Sequence, residues 1–330
     1  MSAPVRWGVL STALINRKLL AGARLSPDVE VLAVASRDGE RAATYAAEHR
    51  IARSYAGYDA LLADPDVEAV YISLPNAMHH SWTMAALAAG KHVLCEKPFS
   101  RDPAAVVEAF AQARERGLVL SEAFMYRYNS QIRRTVELVA DGAIGQLRLV
   151  AASFSWPTPA HGDIRTDPAL AGGSLMDVGC YCVSAARLMA GEPASVTAQA
   201  VQGPTGVDTG LVATLAFPGG VLAHLDCAFH LPDRSHLEVV GTRGTIRVSD
   251  PWHCLTPGLL LTTLDGESTQ VPVETANSYR LELEQVGAAI RGEPNQLLGV
   301  QDALGQATTI DALYRSASAG GAVTSPRAPT

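Results

Sequence analysis

Residues 5–16 are Val5-Arg6-Trp7-Gly8-Val9-Leu10-Ser11-Thr12-Ala13-Leu14-Ile15-Asn16. The mostly apolar run at 5–10 predicts a buried strand, and the small and hydroxyl residues after it predict a tight turn into a helix. In dinucleotide-binding domains such a turn and the N-terminus of the next helix meet the pyrophosphate. The usual Gly-x-Gly-x-x-Gly/Ala pattern is Ser-x-Ala-x-x-Asn here, so this turn alone leaves an ordinary strand–helix connection equally open.

The rest of the N-terminal region repeats this pattern of strand and helix. Further short strands are predicted at Val29–Ala35, Ala69–Leu74, His92–Glu96 and Leu118–Leu120, with helical segments between them. The alternation predicts right-handed crossovers and a doubly wound parallel sheet. We therefore expect an α/β protein whose residues 1–122 form a Rossmann domain that binds the cofactor.

The pattern changes after residue 122. Strand-like runs separated by turn residues follow one another between residues 195 and 263, with helical segments before and after them. A chain of 330 residues also exceeds what one hydrophobic core usually serves. We expect residues 123–330 to form a substrate-binding α+β domain with a large, mostly antiparallel open sheet.

Composition limits the partners and the compartment. The formal charge of −7 disfavours nucleic acid or an anionic membrane as a partner, because such partners favour a basic face. Every apolar run is interrupted by a charged residue before it reaches membrane-spanning length, and the N-terminus lacks a signal-peptide layout. The five cysteines show no zinc spacing, so we expect reduced thiols, a cytoplasmic location and no metal site.

Ser36-Arg37, at the end of the predicted second strand, indicates the cofactor. NAD enzymes commonly place a carboxylate at this point to hold the ribose hydroxyls, whereas a hydroxyl followed by a guanidinium suits the 2′-phosphate of NADP. Asp38 follows directly and weakens this argument, and a solvated surface arginine is the alternative. We expect NADP, with NAD possible.

Three short motifs connect the chain to a known family. They are Pro75-Asn76-Ala77-Met78-His79, Glu96-Lys97-Pro98 and Asp177-Val178-Gly179-Cys180-Tyr181. In this order, and with this two-domain layout, they resemble the signatures of the Gfo/Idh/MocA oxidoreductases, the family of glucose–fructose oxidoreductase and inositol dehydrogenase. The resemblance covers essentially the whole chain and implies an NAD(P)-dependent oxidoreductase acting on CH–OH groups.

The same resemblance implies Lys97, Asp177 and Tyr181 as catalytic residues. In the family this lysine contacts the reacting oxygen, and its ordinary pKa near ~10.4 must fall for it to accept a proton at neutral pH. With tyrosine at position 181 the chain resembles the glucose–fructose oxidoreductase, dihydrodiol dehydrogenase, D-xylose 1-dehydrogenase and sugar 3-ketoreductase members of the family. Many other members carry histidine at this position. Asp177, four residues earlier on the same helical face, would orient substrate hydroxyls. Alternatively, Asp177 caps the helix and Tyr181 packs in the core.

The remaining expected contacts follow from position in the chain. We expect the cofactor to contact Ser11, Thr12, Ala13, Leu14, Ile15, Ser36, Arg37, Leu74, Pro75, Asn76, His79, Glu96 and Lys97. We expect the substrate to contact Arg127, Trp156, Arg165, Asp177 and Tyr181. An aromatic floor beside acidic and basic groups suits a sugar ring, although ordinary surface loops remain equally open for Arg127, Trp156 and Arg165.

The leading hypothesis is oxidation of an aldopyranose at C1 to a lactone, as in D-xylose and D-glucose 1-dehydrogenases. Reduction of a 3-ketosugar is the alternative, because residues 162–165 also resemble sugar ketoreductases. A non-catalytic NAD(P)-binding regulator and an NAD-dependent glycosidase are two further classes. Retention of Lys97, Asp177 and Tyr181 disfavours the regulator, and Ser36-Arg37 disfavours the glycosidase. Besides a sugar substrate, we expect a homodimer or homotetramer formed through the C-terminal sheet.

Overall fold

The computed structural model describes residues 3–159 and 161–327. The chain divides into two compact units. The first consists of Met1–Met125 and Asn277–Leu304, and the second of Tyr126–Ala276 and Gly305–Thr330. Residues 1, 2 and 328–330, which belong to these ranges, lie outside the described residues, as does residue 160.

The first unit is built on a six-stranded parallel sheet in the order β3-β2-β1-β4-β5-β6. Its strands are β1 (Val5–Leu10), β2 (Val29–Ser36), β3 (Arg53–Ala56), β4 (Ala69–Ile72), β5 (His92–Glu96) and β6 (Leu120–Ala123). Leu10 pairs with Ala35 of β2 and with Ile72 of β4. The carboxyl ends of these three strands therefore lie at one edge, where doubly wound sheets bind ligands.

Helices connect these strands. They are α1 (Asn16–Ala23), α2 (Gly39–His49), α3 (Tyr58–Leu62), α4 (His79–Ala88) and α5 (Pro103–Glu115). The central strands are almost continuously buried; Ala69–Ile72 has no exposed residue, as expected for a sheet covered on both faces. The predicted doubly wound parallel sheet is confirmed.

Helix α8 (Ser278–Ile290) belongs to the first unit, although the sequence analysis placed its residues in the segment 123–330. It packs on α1 at Gly22, where an added Cβ would lie 2.7 Å from the Arg280 nitrogen and 2.8 Å from the Tyr279 Cβ. Only glycine permits such a close approach of two helices. The return of a late helix to the first unit is a tertiary contact that local sequence patterns do not encode.

The second unit is built on an eight-stranded sheet in the order β14-β13-β12-β11-β7-β10-β9-β8. Its strands are β7 (Leu147–Ser155), β8 (Ser195–Gln202), β9 (Asp208–Ala216), β10 (Leu222–Ala228), β11 (Arg234–Gly241), β12 (Gly244–Ser249), β13 (Gly258–Thr263) and β14 (Ser268–Val271). The pairing of β7 with β10 is parallel and the other pairings in this sheet are antiparallel. The predicted large, mostly antiparallel sheet is confirmed.

Helices α6 (Ser130–Ala140) and α7 (Cys180–Ala190) pack against this sheet, and α9 (Val300–Ser318) ends within the same unit. A π-helical turn, Leu175–Gly179, runs directly into α7. One segment, Pro168–Ala190, has the length and apolar composition of a membrane span, but 67% of its most apolar 18-residue stretch is buried inside the fold, as in a core helix.

Candidate functional site

The turn after β1 has the backbone geometry of a dinucleotide-binding loop although it lacks the first glycine. Ser11 has φ 143°, a conformation that glycine adopts without cost and other residues adopt only when the surroundings enforce it. Its hydroxyl lies 2.8 Å from the Ser73 hydroxyl and accepts the Ala13 amide at 3.1 Å, while the Asn16 side chain donates to its carbonyl at 2.9 Å. The Ser11 hydroxyl therefore stabilises the turn, and the expected contact of Ser11 with the cofactor stays a prediction.

The amides around this turn fit the phosphates of a dinucleotide. Within the described part of the chain, the backbone N–H groups of Thr12, Leu14 and Ile15 have no hydrogen-bond partner. They lie at the N-terminus of α1, whose dipole favours an anion, and Leu14 is 77% exposed. Since exposed, unpaired amides at a helix N-terminus form an anion site, residues 12–15 can hold a pyrophosphate.

The end of β2 presents a hydroxyl and two arginines. Ser36 is buried and its hydroxyl accepts the Asp38 amide at 3.3 Å, which leaves its own proton to donate. The Asp38 carboxylate accepts the amides of Glu40 and Arg41 at 3.0 and 3.2 Å, and so caps α2. The presence of Asp38 at this position weakened the NADP prediction. Its role as the cap of α2 explains why an acidic residue stands here without a contact to the cofactor ribose.

Arg41 is a candidate residue that the sequence analysis missed. Burial raises the pKa of the Tyr58 hydroxyl, while the charges of Arg37 and Arg41 oppose this, so both guanidinium groups lie near Tyr58. Arg41 also lines a groove of about 420 Å³ together with Thr12, Ala13 and Leu14. Its position one turn into α2 could have been recognised from the spacing of Arg37 and Arg41.

His79 connects two loops at the same edge of the sheet. It is 1% exposed, with Nε2 2.8 Å from the Leu74 carbonyl and Nδ1 2.9 Å from the Pro98 carbonyl. Burial lowers the pKa of this imidazole, although the two carbonyls oppose the shift. Both ring nitrogens face carbonyls, so His79 connects the loops that carry Pro75-Asn76 and Lys97, and its expected contact with the cofactor stays a prediction.

Glu96 faces into the domain. One carboxylate oxygen accepts the Tyr71 hydroxyl in a short hydrogen bond, and the other accepts the Lys97 backbone amide at 3.2 Å. Lys97 follows β5 and precedes a cis peptide bond to Pro98. Glu96 thus orients the backbone of Lys97, and its expected contact with the cofactor stays a prediction.

In the second unit the π-helical turn and α7 carry Asp177 and Tyr181. Every residue from Gly173 to Arg187 is buried except these two, which are half-buried. They therefore form the one accessible stripe of an otherwise buried segment. π-helical turns are rare and frequently occur at functional sites.

A charged cluster surrounds Asp177. Arg165 donates to Asp177 at 3.0 Å and to Asp163 at 3.1 Å, and its guanidinium lies 5.1 Å from the centre of the Trp156 ring. Burial lowers the pKa of Arg165, but the two carboxylates outweigh this and raise it above its ordinary value. Arg165 thus contacts two other expected substrate residues, Trp156 and Asp177.

Tyr181 and Arg127 contact a second group of side chains. The Tyr181 ring lies 5.6 Å from those of Tyr126 and Phe154 and 6.0 Å from that of Trp252. Arg127 donates to the Ser184 hydroxyl of α7 at 3.2 Å. The aromatic packing fixes the Tyr181 ring while leaving it half-buried, and Arg127 supports the same helix.

Asp208 anchors the start of the π-helical turn Leu175–Gly179, and the sequence did not predict this role. Its Oδ2 accepts the Ser174 hydroxyl and the Leu175 amide, both at 2.7 Å, and its Oδ1 accepts the Tyr314 hydroxyl at 2.8 Å. Burial raises the pKa of Asp208 despite these donors. No local sequence signal links Asp208 to residues 34 positions earlier, so only the fold reveals it.

Taken unit by unit, the structure gathers the predicted residues into two groups. The first unit brings together residues 11–15, Ser36-Arg37, the 74–79 loop and Glu96-Lys97 at the edge formed by the strand ends. The second brings Trp156, Arg165 and Asp177 together, with Tyr181 on the same stripe as Asp177. Among residues 3–159 and 161–327, no three His, Cys, Asp or Glu side chains converge to hold a metal.

Comparison with known proteins agrees with this geometry. The profile of the oxidoreductase family with an NAD-binding Rossmann fold matches residues 5–124, and that of the GFO/IDH/MocA C-terminal domain matches residues 132–247. The chain is 37% identical over 321 residues to D-xylose 1-dehydrogenase (NADP(+)) 2 of Haloferax volcanii, covering 96% of this chain and 98% of that protein. It is 36% identical over 276 residues to trans-1,2-dihydrobenzene-1,2-diol dehydrogenase of Bos taurus, covering 82% and 81%.

A solved structure shows the same fold throughout. It is a 3-ketoreductase from Actinomadura kijaniata in complex with NADP and TDP-benzene, which is 32% identical. The TM-score is 0.88, over 95% of this chain and 98% of that one. Both family profiles and whole-length relatives agree, and the chain belongs to the GFO/IDH/MocA family of oxidoreductases.

Proposed function

We propose that the protein is an NADP-dependent dehydrogenase that oxidises an aldopyranose at C1 to a lactone. The observation that carries the proposal is whole-length similarity to an NADP-dependent D-xylose 1-dehydrogenase, in a chain that retains Lys97, Asp177 and Tyr181. A cluster of Trp156, Arg165 and Asp177 supports it, since sugar rings offer an apolar face and a rim of hydroxyls.

NADP as cofactor is supported by the end of β2. Ser36 retains a proton to donate, Arg37 and Arg41 lie near Tyr58, and the Asp38 carboxylate is used to cap α2. Guanidinium groups bind the 2′-phosphate of NADP through charge-assisted hydrogen bonds. The uncharged 2′-hydroxyl of NAD forms weaker hydrogen bonds with them. Residues 12–15 would hold the pyrophosphate, and the bound cofactor would supply the hydride acceptor.

Proton handling falls to the chain's own residues. We assign to Lys97 and Tyr181 the removal of the proton from the C1 hydroxyl, while hydride leaves the C1 carbon. Asp177, paired with Arg165, would accept a hydrogen bond from a neighbouring hydroxyl and orient the ring. Tyr181 is fixed by aromatic neighbours, so its hydroxyl would need little reorganisation.

Reduction of a 3-ketosugar is the second candidate. It is favoured by the TM-score of 0.88 to the 3-ketoreductase and by the Gly162-Asp163-Ile164-Arg165 segment. The two reactions differ in substrate and direction: one consumes NADP and a free aldose, the other NADPH and a ketosugar.

The deciding experiment follows reduced-nicotinamide absorbance while the purified protein meets aldoses, polyols and ketosugars with each cofactor. Growth of absorbance with NADP and an aldopyranose, with a lactone as product, supports C1 oxidation. Loss of absorbance with NADPH and a ketosugar replaces it with ketoreduction. Bound cofactor without turnover on any substrate contradicts both and favours a regulator or a glycosidase.

We further propose that the protein assembles as a homodimer or homotetramer through the eight-stranded sheet. Three large aliphatic residues of adjacent strands are exposed: Val201 at 60%, Val212 at 57% and Leu222 at 48%. Burying them against a second copy would remove apolar surface from water. Light scattering should give at least twice the chain mass, and Val212→Glu should lower it, whereas Val107→Glu on α5 should not.

A further inference from the structure

The outer face of the eight-stranded sheet carries a polar hollow that the proposed chemistry does not use. On β10, the Cys227 sulfur lies 3.6 Å from the Ser174 hydroxyl, so Cys227 points to the side of the sheet that the π-helical turn covers. Side chains alternate along a strand, and His224 and Asp226 therefore point to the opposite side. A hollow of about 430 Å³ lies there, lined by these two residues and by residues of β7 and β11.

The strand register brings residues of three strands together at this hollow. Six residues form two rows across β10, β7 and β11, namely Asp226, Ser153 and His236 in one row and His224, Ala151 and Glu238 in the next. The middle residue of each row is small, so the longer side chains on either side can approach one another above it. His224 and His236 thus line one hollow although their strands are not neighbours.

Two ion pairs occupy the charged side chains of this face. Arg234 donates to Asp226 at 3.1 Å, and Arg247 of β12 donates to Glu238 at 3.1 Å. Between these pairs β7 contributes only small, uncharged residues. The two arginines and the two carboxylates are therefore the charged groups that face the histidines, and each already has a partner of opposite charge.

The two imidazoles, in contrast, have no hydrogen-bond partner within residues 3–159 and 161–327. On the other side of β10, β9 places the uncharged Thr214 opposite His224. Burial lowers the pKa of His236; Glu238 opposes this shift, and the two arginines and His224 add to it. His236 is therefore neutral at neutral pH, and a proton on either ring would add a charge that the two ion pairs do not neutralise.

A second copy of this chain is the occupant that suits the face. Val212 and Leu222, beside the hollow on β9 and β10, are 57% and 48% exposed and favour burial against apolar surface. Two copies related by a two-fold axis present the same patch to each other, so the patch must carry both donors and acceptors. A neutral imidazole is both on one ring, whereas a protonated imidazole only donates. Protonated rings would also bring like charges together across the contact.

We propose that His224 and His236 make the assembly through the eight-stranded sheet sensitive to pH: neutral rings let two copies pack face to face, and protonated rings separate them. The inference rests on the proposed homodimer or homotetramer and adds its regulation. Because the assembled form binds fewer protons than the free chains, assembly is strongest above the ordinary imidazole pKa of ~6.5 and weakens as pH falls below it.

The first measurement is the mass of the whole protein by light scattering at about pH 7.5 and about pH 5, on either side of the imidazole pKa. Wild type should be assembled at the higher pH, and its dissociation constant should rise at least about tenfold at the lower one. The double variant His224→Gln/His236→Gln keeps neutral hydrogen-bonding groups and should stay assembled at both. His80→Gln, at a half-buried histidine of α4 in the first unit, is the matched control and should dissociate as wild type does.

Three results would contradict the proposal. Wild type that stays equally assembled at both pH values would overturn the switch and leave the assembly intact. A double variant that dissociates as readily as wild type would assign the acid effect to other groups and overturn the switch as well. A single-chain mass at the higher pH would contradict the assembly itself, and the switch with it, so the two failures are distinguishable.

A fixed charge tests the same point without exposing the protein to acid. His236→Lys should raise the dissociation constant at least about tenfold at neutral pH, because its ammonium stays charged there. Circular dichroism should show that this variant remains folded. His80→Lys adds the same charge outside the sheet and should assemble as wild type does. If His236→Lys assembles as tightly as wild type, the face tolerates a cation and the proposal is wrong.

Discussion

Arg165 donates from Nε to Asp177 at 3.0 Å and from Nη1 to Asp163 at 3.1 Å. Asp177 therefore has a cationic partner before any substrate binds. The Trp156 ring lies 5.1 Å from the same guanidinium and limits its movement. A carboxylate held in this way has a fixed direction, which is what orienting a hydroxyl requires.

Arg165→Met should lower kcat/KM at least about tenfold. Methionine keeps an apolar stem against Trp156, but Asp163 and Asp177 then repel each other without a cation between them. Steady-state kinetics with the best sugar found measures the loss. Arg134→Met, which breaks an exposed pair with Glu137, should change little. Equal effects of the two substitutions would show that the Arg165 pair does not position Asp177.

Arg37→Ala and Arg41→Ala should each weaken NADP binding at least about tenfold and leave NAD binding nearly unchanged. Each guanidinium would otherwise form a charge-assisted hydrogen bond with the 2′-phosphate. Titration of each variant with both cofactors, followed by tryptophan fluorescence or calorimetry, gives the ratio of the NADP and NAD dissociation constants. Arg114→Ala, an exposed arginine on α5, is the control and should affect neither cofactor. Parallel losses for NADP and NAD would exclude recognition of a 2′-phosphate here.

Lys97→Met should reduce kcat by at least about a thousandfold, because general acid–base groups typically contribute factors of this order. NADP binding should remain within a few fold, since the contacts that we propose for the cofactor lie mainly at residues 12–15 and at the end of β2. Pre-steady-state absorbance and cofactor titration separate the two effects. Substantial residual turnover in Lys97→Met would mean that the proton is handled elsewhere.

His79→Leu should destabilise the first unit by about 2 kcal/mol, because the carbonyls of Leu74 and Pro98 lose a buried hydrogen-bond partner. The pH dependence should change as well. Burial lowers the pKa of His79, so the unfolded chain, titrating near ~6.5, binds a proton more readily than the folded one.

The stability that neutral His79 contributes is therefore complete above pH ~6.5 and is lost as pH falls from there towards the lowered folded-state pKa. Denaturant unfolding between about pH 7 and about pH 5 should show a steeper loss in wild type than in His79→Leu. His161→Leu, at an exposed histidine, should keep the wild-type slope. Identical slopes for wild type and His79→Leu would mean that folding does not change the pKa of this imidazole.

The sequence predicted those parts of the fold that have a local signal. The alternation of apolar strands with helices predicted the parallel sheet, and Ser36-Arg37 lies at the end of β2 as expected. The edge strands Arg53–Ala56 and Ser268–Val271 were missed, because a four-residue strand with polar residues has no clear period.

The site was predictable where residues are adjacent in sequence and not where they are brought together by folding. Glu96-Lys97 and Asp177-Tyr181 are short motifs with a recognisable spacing. The orientation of Glu96 towards Tyr71, the contact of His79 with two carbonyls and the anchoring by Asp208 all join residues distant in the chain. No periodicity or motif encodes such contacts, so the sequence could not show that Ser11, His79 and Glu96 form hydrogen bonds within the protein itself.

Gly173→Ala should be one of the most damaging small substitutions in the second unit. Gly173 has φ 128°, and an added Cβ would lie 2.1 Å from Oδ1 of Asp208 and 3.0 Å from the Tyr314 hydroxyl. The clash would displace the carboxylate that holds Ser174 and Leu175, and with it the π-helical turn that carries Asp177. We expect a loss of about 3 kcal/mol or more in unfolding free energy and a fall in kcat.

Gly219→Ala is the matched control for backbone strain alone. Gly219 also has positive φ, at 79°, but nothing lies within 4 Å of its added Cβ. It should lose only about 1–2 kcal/mol, the cost of a left-handed conformation, and keep its kcat. Chemical denaturation and steady-state kinetics on the two variants give the comparison. If Gly173→Ala costs no more than Gly219→Ala, the Asp208 anchor adapts freely and does not fix the position of Asp177.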